Sequence, residues 1–434
     1  LERKGWPTRP PRNQVGDLGY SIRSLDDYAA TQAGLRMIHA RKAMAQSKLL
    51  SIHGGPTHML APTPPMGWNA WNTFGVNIHE QLIHETADAF VDQGLLDAGY
   101  RYLVLDDGWM APARDSDGRL AADPAKFPSG MRALGEYIHS KGLKFGIYSC
   151  AGTHTCQKLP ASYGNEERDA QTFASWGVDF LKYDYCYKPH GARGPLLYRR
   201  MGQALRSTGR PIVYSACNWG NEEVWKWAAN CGCHMWRTTG DIGDSWESID
   251  SLGFSQDGLE AYAGPNRWND PDMLVVGMYG NGDHARHTGC ADVEYRTHFG
   301  LWCILASPLM IGCDIRDLTP AAKAILTNPE VIAVNQDPLG RQGCRAGGGP
   351  TRTQVWWKPL ADGSVAVGLF NRADKGDRLV SVGWETLGLH DRRECIVRDL
   401  YAREDLGRAT ASYSAYVEPH GCKILKLIPQ PADS

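Results

Sequence analysis

Two aspartates stand where an apolar stretch gives way to polar residues, each close to a cation. Asp184 closes Leu181-Lys182-Tyr183-Asp184. If that stretch is a strand, Lys182 faces the same way as Asp184, because strand side chains alternate with a period of two. A neighbouring ammonium keeps a carboxylate ionised, as a nucleophile requires. A structural ion pair is the competing reading. Asp241 ends Trp236-Arg237-Thr238-Thr239-Gly240-Asp241, on a glycine-containing loop. A carboxyl group there could protonate a leaving group. The competing reading makes it the N-cap of a helix over 245–252, although Asp244 is better placed for that.

Other acidic turns invite the same scrutiny. Asp106-Asp107-Gly108-Trp109 could bind sugar hydroxyls, hold a cation or cap a loop. Trp68, Trp71 and Trp109 nearby favour a sugar, since indole stacks on sugar faces. Asn269-Asp270-Pro271-Asp272 lacks the alternating ligands and closing Glu of a calcium loop. Cys231-x-Cys233-His234 and His284-x-x-His287 have no second cysteine pair, so no metal is expected. There is no Gly-x-Ser-x-Gly elbow and no phosphate-cradling loop. No cofactor is implied.

These residues need a scaffold that brings distant segments together. From about residue 61, short apolar runs alternate with helical stretches, the rhythm of a parallel sheet or barrel. Eight candidate strands end near Gly67-Trp68, Leu105-Asp106, Ile147-Tyr148, Lys182-Tyr183, Tyr214-Ser215, Trp236-Arg237, Trp268-Asn269 and Met310-Gly312. Helices are predicted over 79–94, 128–141, 169–176 and 196–206. Most strands end abruptly in Asp, Trp, Tyr, Cys or Arg. In a (β/α)8 barrel the C-terminal strand ends build the active site, so an α/β TIM barrel is predicted over 61–342. A doubly wound open sheet is the alternative and needs no such richness at every strand end. Residues 343–434 read as a C-terminal antiparallel β-sandwich, with strand-like segments at 353–358, 364–371, 378–382, 394–400 and 423–428. Residues 1–60 form an N-terminal extension with a predicted helix over 24–47, an accessory element against the main domain or a partner subunit.

Composition excludes several classes. Lys and Arg number 46 and Asp and Glu 48, a formal net charge of −2. Nothing favours nucleic acid or an anionic membrane surface. The longest uncharged apolar run, Gly300 to Cys313, is about 14 residues, too short to span a bilayer. No signal peptide is visible after Leu1 and no Asn-x-Ser/Thr sequon occurs, which leans to a bacterial cytoplasm with secretion left open.

The ordered motifs resemble glycoside hydrolase family 27, the α-galactosidases and α-N-acetylgalactosaminidases. The likeness runs over 61–342. It covers Pro64-Pro65-Met66-Gly67-Trp68-Asn69-Ala70-Trp71, Leu105-Asp106-Asp107-Gly108-Trp109-Met110, Gly146-Ile147-Tyr148-Ser149 and Lys182-Tyr183-Asp184-Tyr185-Cys186. It continues through Trp236-Arg237-Thr238-Thr239-Gly240-Asp241, Trp268-Asn269-Asp270-Pro271-Asp272-Met273 and Asn335-Gln336-Asp337-Pro338. The resemblance implies Asp184 as nucleophile and Asp241 as acid/base of a retaining glycosidase, with carboxyls about 5–5.5 Å apart. It implies Trp71, Asp106, Asp107, Tyr148, Lys182, Arg237 and Asp272 as the pocket for a terminal galactose. Cys217 and Trp219, in Cys217-Asn218-Trp219-Gly220, would face the sugar's C2. Bulky Trp219 implies a 2-hydroxyl rather than a 2-acetamido group, as in plant and microbial α-galactosidases, although Asn218 stands where Glu is common.

The resemblance also implies a Cys156–Cys186 disulfide. A Cys217–Cys233 bridge occurs in animal members, whereas in plant-like members the first cysteine faces substrate. Cys150 would be an extra thiol near the pocket rim. The expected partner is a galactose-containing oligosaccharide or glycoconjugate. A homo-oligomer is compatible with the sequence. α-N-Acetylgalactosaminidase, β-L-arabinopyranosidase and a non-catalytic sugar-binding protein are the alternatives.

Overall fold

A computed structural model describes residues 59–282, 288–346 and 352–431. The predicted helix over 24–47 and the His284-x-x-His287 pair lie outside the described residues.

Eight parallel strands form one sheet: β1 (Met66–Asn69), β2 (Tyr102–Val104), β3 (Lys144–Cys150), β4 (Phe180–Asp184), β5 (Val213–Ala216), β6 (Met235–Arg237), β7 (Trp268–Asp270) and β8 (Leu309–Ile311). Their spatial order is β7-β6-β5-β4-β3-β2-β1-β8. The ring closes just beyond β7, where Leu274 bridges to Ile311 in parallel. Leu274 N donates to Met310 O at 2.7 Å, and Gly312 N donates to Leu274 O at 2.9 Å. This is the predicted barrel, with each strand where the sequence put it.

Alternation along the strands sorts the side chains. Tyr102, Val104, Phe180, Val213, Met235, Trp268 and Met310 pack together inside the ring. The residues between them, such as Leu103, Leu181, Tyr183, Tyr214 and Trp236, join the outer core beneath the helices. One further inward step reaches Asp106, Lys182 and Arg237, and a second reaches Asp184, Cys217 and Asp272. Polar groups therefore gather towards the C-terminal mouth. Glycines permit close strand approach where two inward positions would collide. A Cβ on Gly67 would lie 2.3 Å from Tyr102 O, and one on Gly146 would lie 2.6 Å from Val104 Cγ2.

The covering helices include α1 (Glu80–Asp92), α2 (Gly130–Ser140), α3 (Glu166–Ser175), α4 (Gly194–Ser207), α5 (Trp246–Gly253), α6 (Asp292–Ile304), α7 (Pro320–Leu326) and α8 (Pro329–Asn335). The predicted helices match α1 to α4 to within a few residues. Helix α5 is capped by Ser245, whose side chain accepts from Ser248 N at 3.3 Å, not by Asp244 or Asp241. Asp244 instead accepts from Gly280 N and from the Tyr295 hydroxyl, tying two loops together.

The C-terminal region adds a six-stranded and a two-stranded antiparallel sheet. The strands are β9 (Cys344–Arg345), β10 (Thr353–Pro359), β11 (Val365–Asn371), β12 (Arg378–Gly383), β13 (Glu394–Asp399), β14 (Glu404–Thr410), β15 (Ser412–Val417) and β16 (Cys422–Pro429). Their orders are β14-β13-β16-β11-β10-β9 and β12-β15. Val367, Leu369, Val380, Val382, Val397 and Leu427 form the core between them. The sequence reading missed β9, β14 and β15. Strand β14 is largely exposed and edges its sheet, so it carries no apolar signal.

Gly67→Ala is expected to destabilise the protein by about 2 kcal/mol, because strand backbone cannot yield to the added methyl. Gly240→Ala, with nothing within 4 Å of the added atom, is expected to leave stability unchanged. Denaturant midpoints compare the two; equal midpoints would refute the packing argument.

Candidate active site

One cavity of about 240 Å³ opens at the C-terminal mouth of the barrel. Trp71, Asp106, Asp107, Tyr148, Lys182, Asp184, Cys217, Trp219, Arg237, Asp241 and Asp272 all line it. The segments that contribute them span the whole ring, so only its closure brings them together.

Asp184 is 6% exposed at the end of β4. Its Oδ1 accepts from Tyr185 N at 2.8 Å and its Oδ2 from the Tyr148 hydroxyl at 3.0 Å. Burial pushes its carboxyl up to about 6, while the Lys182 ammonium works the other way. Lys182 Nζ donates to Asp106 Oδ2 at 2.7 Å. The same oxygen accepts from Asn69 Nδ2 at 2.7 Å, and Oδ1 accepts from Asp107 N at 2.9 Å. Burial opposes the Lys182 charge, but the carboxylate of Asp106 and its other anionic neighbours hold the ammonium above its usual range. Asp107 accepts from Gly108 N at 2.8 Å and Gln157 N at 2.9 Å, and burial pushes it up to about 6.

A second buried pair forms the opposite wall. Arg237 lies 3.0 Å from Asp272 Oδ2, both side chains 5% exposed. Arg237 Nη2 also donates to Gly240 O at 2.6 Å and to Asp241 Oδ1 at 3.1 Å. Asp272 accepts from Ile242 N at 2.8 Å, so it fixes the loop that carries Asp241. Burial raises the Asp272 carboxyl, against the pull of Arg237. Asp272 has φ of 91°, a left-handed conformation costly for a side-chain-bearing residue. The Trp302 indole secures it by donating to Asp272 O at 2.8 Å. Asp241 itself is 53% exposed. The two aspartates thus meet the same cavity in unlike environments, one buried and one open to water.

Cys217 points into the cavity, with Sγ 3.7 Å from Arg237 Nη1. Cys233 sits in the outer core with Cys231, and all three thiols are free. A Cys217–Cys233 bridge is therefore absent, because the two cysteines lie on opposite sides of the barrel wall. The Cys156–Cys186 disulfide is present. Cys150 does not reach the rim: it is fully buried, and its thiol donates to Cys186 O at 3.1 Å. Trp219 takes φ of 57° and packs edge-on against Tyr185. In Cys231-x-Cys233-His234, the His234 ring accepts from Tyr214 N at 2.9 Å, and burial pushes it down to about 4.

Sequence reasoning overlooked Asn72, Gln157, Ile242 and Met273 as lining residues, and Asn69 as a support of Asp106. Asn69 had a readable signal, since it ends β1 one inward step beyond Gly67. Gln157 had none, because its contribution is a main-chain N–H on a loop.

The sequence profile described as Alpha galactosidase A matches residues 63–337, and that of the Alpha galactosidase C-terminal beta sandwich domain matches 351–427. The chain belongs to the α-galactosidase family. It is 47% identical over 372 residues to an alpha-galactosidase of Cyamopsis tetragonoloba, covering 86% of this chain and 87% of that protein. Alpha-galactosidase I from Mortierella vinacea superimposes with a TM-score of 0.80 at 36% identity, over 87% of this chain and all 100% of that one. A GH27 β-L-arabinopyranosidase from Geobacillus stearothermophilus gives a TM-score of 0.78 at 28% identity, over 88% of this chain and 100% of that one.

Because Asp184 is held above the ordinary carboxylate range by burial, its ionisation at neutral pH opposes folding. The folded carboxyl at about 6 binds its proton more tightly than an unfolded one near 3.8, so its contribution to stability is greatest at low pH and falls as pH rises through about 4–6. Asp184→Asn removes that charge and keeps the acceptor. It is expected to raise stability at pH 7.5 by about 1–3 kcal/mol, with no gain at pH 4. Thermal or urea unfolding at the two pH values checks this; a loss at pH 7.5 would contradict it.

Proposed function

We propose that the chain hydrolyses terminal α-D-galactosides with retention, by double displacement. The observation that carries this reading is the pairing of a buried, cation-flanked Asp184 with an exposed Asp241 at one cavity, above the acidic floor of Asp106 and Asp107. Asp184 attacks the anomeric carbon. Asp241, in water, protonates the glycosidic oxygen and the aglycone leaves. Asp241 then takes a proton from water, which attacks the glycosyl ester and releases the sugar. Tyr148 and Tyr185 N orient the Asp184 oxygens, and Lys182 supports its ionised form.

Asp106 and Asp107 accept from the galactose O4 and O6 hydroxyls. A sugar of the wrong configuration leaves a buried carboxylate unpaired, a cost that discriminates strongly. The same logic disfavours a β-L-arabinopyranoside, which lacks the hydroxymethyl and its O6. Trp219 fills the space a 2-acetamido group would need, which disfavours an α-N-acetylgalactosaminide. A sugar-binding protein without catalysis has no use for two carboxyl groups in such different surroundings. Galactose-containing oligosaccharides or glycoconjugates are the substrate class.

The decisive assay is release of 4-nitrophenol from a panel of 4-nitrophenyl glycosides. The α-galactoside is expected to lead the α-N-acetylgalactosaminide, β-L-arabinopyranoside and α-glucoside. Asp184→Asn is expected to lower kcat by at least about 10³-fold. Preference for another sugar would overturn the assignment of Trp219 or the Asp106–Asp107 pair. The kcat/KM profile of the wild-type protein should fall tenfold per pH unit below about 6, where free Asp184 takes up its proton. Lys182→Met removes the charge that works against burial, so its acid limb is expected at higher pH. An unmoved limb would show that Asp184 is not the group titrating.

A further inference from the structure

The cavity wall contains two sulfur atoms, beside Asp184, that galactoside hydrolysis does not use. Ligand atoms of Cys156, Asp184 and Cys186 all lie within 4.8 Å of one another. At present the two sulfurs are joined. Cys156 Sγ lies 3.5 Å from Asp184 Oδ2, and the Tyr148 hydroxyl sits 3.4 Å from that sulfur and 3.0 Å from that oxygen. In tetrahedral zinc coordination, Zn–S of about 2.3 Å and Zn–O of about 2.1 Å place sulfur and oxygen ligands about 3.6 Å apart. The sulfur-to-carboxylate edge of such a site therefore already exists. The sulfur-to-sulfur edge has to open to about 3.8 Å by the same geometry, with Cys186 Sγ already within 4.8 Å of the carboxylate.

Reduction of the disulfide leaves the ligands held. Ala151 N donates to Asp184 O at 2.9 Å, Thr153 N donates to Tyr187 O at 3.2 Å, and the Cys150 thiol donates to Cys186 O at 3.1 Å. The chain around Cys186 is also tightly enclosed, since a Cβ on Gly152 would lie 2.0 Å from its carbonyl oxygen. The loops after β3 and β4 are thus tied by contacts that do not involve the S–S bond. Both cysteines are partly exposed, so a reductant and a metal ion can reach them through the cavity.

We propose that the reduced protein binds one Zn²⁺ through Cys156, Asp184 and Cys186, with the fourth position facing the cavity. A trialkylphosphine and water convert the disulfide to two thiols. Phosphorus is oxidised by two electrons to the phosphine oxide, and water supplies its oxygen and the two thiol protons. Zn²⁺ then displaces the two thiol protons to solvent, giving two thiolates that offset its charge. Asp184, drawn onto the metal, can no longer attack a sugar. The same carboxylate serves hydrolysis while the disulfide is formed and zinc once it is reduced. The loss of hydrolysis rests on the proposed role of Asp184; the binding site does not.

The test compares Zn²⁺ uptake by the full chain before and after phosphine treatment, by competition with a chromophoric chelator. Hydrolysis of 4-nitrophenyl α-galactoside is followed in parallel. The reduced protein is expected to bind one equivalent more than the oxidised protein, and to lose at least tenfold in rate as that equivalent fills. EDTA is expected to restore the rate. Cys156→Ser is expected to lack the extra equivalent. No extra equivalent in the reduced wild-type protein overturns the proposal, whether or not the variant folds. Uptake that persists in a folded Cys156→Ser protein also overturns it, by assigning the metal to other thiols. Uptake with undiminished hydrolysis, in a protein whose Asp184→Asn variant is inactive, removes Asp184 as a ligand and overturns it too. Failure of the hydrolase reading shows separately, as an oxidised, metal-free protein with no activity on the galactoside.

Discussion

The mouth of the barrel depends on the rule that a buried charge must be paired. Lys182 with Asp106 and Arg237 with Asp272 place two cations and two anions out of water around one small cavity. Removing one partner from such a pair costs several kcal/mol, because the other is left buried without compensation. Within each pair the partners therefore fix one another and the groups they touch. Lys182 supports Asp184 from within the same strand. Arg237 and Asp272 together hold the loop of Asp241, the first by its guanidinium and the second by accepting from Ile242 N.

That arrangement gives two aspartates in one cavity different surroundings. Asp184 lies beneath the surface between Tyr148 and Lys182, with burial holding its proton affinity high and a cation restraining the rise. Asp241 stands at the rim with about half its side chain in water. In the proposed mechanism the first forms a covalent bond and benefits from fixed orientation, and the second exchanges protons with solvent and benefits from access. The strain at Asp272, with φ of 91°, is tolerated because Trp302 on α6 secures its carbonyl from behind. Helix α6 also packs against β11 and β16, so the C-terminal sheets brace the helix that braces the site.

The disulfide adds a further constraint at the same point. It joins the loops after β3 and β4, beside Asp184 and its partner Tyr148. Those loops are independently stapled by main-chain hydrogen bonds, so the S–S bond is not their sole restraint. It keeps two sulfur atoms engaged beside a carboxylate that would otherwise complete a metal-binding trio.

Much of this was legible in the sequence. The period-two pattern of strands such as Phe180–Asp184, ending in polar residues, dictates which side chains enter the barrel and at what height, because a strand cannot turn one residue without turning its neighbours. That local rule is sufficient to set Lys182 beside Asp184, and position at a strand end nominates Asp106; Arg237 and Asp272 came from the family resemblance. The order of the motifs identified the family. Other features exist only after the ring has closed. The Gln157 N–H that satisfies Asp107, the Trp302 indole behind Asp272 and the Leu274 bridge to β8 join residues far apart in the chain, through main-chain groups that every residue carries. The fate of the cysteines was undecided for the same reason. Cys156 and Cys186 meet because adjacent strands bring their loops together, whereas Cys217 and Cys233 are separated by the barrel wall. A sequence specifies which face a side chain takes; which faces meet is set by the closed sheet.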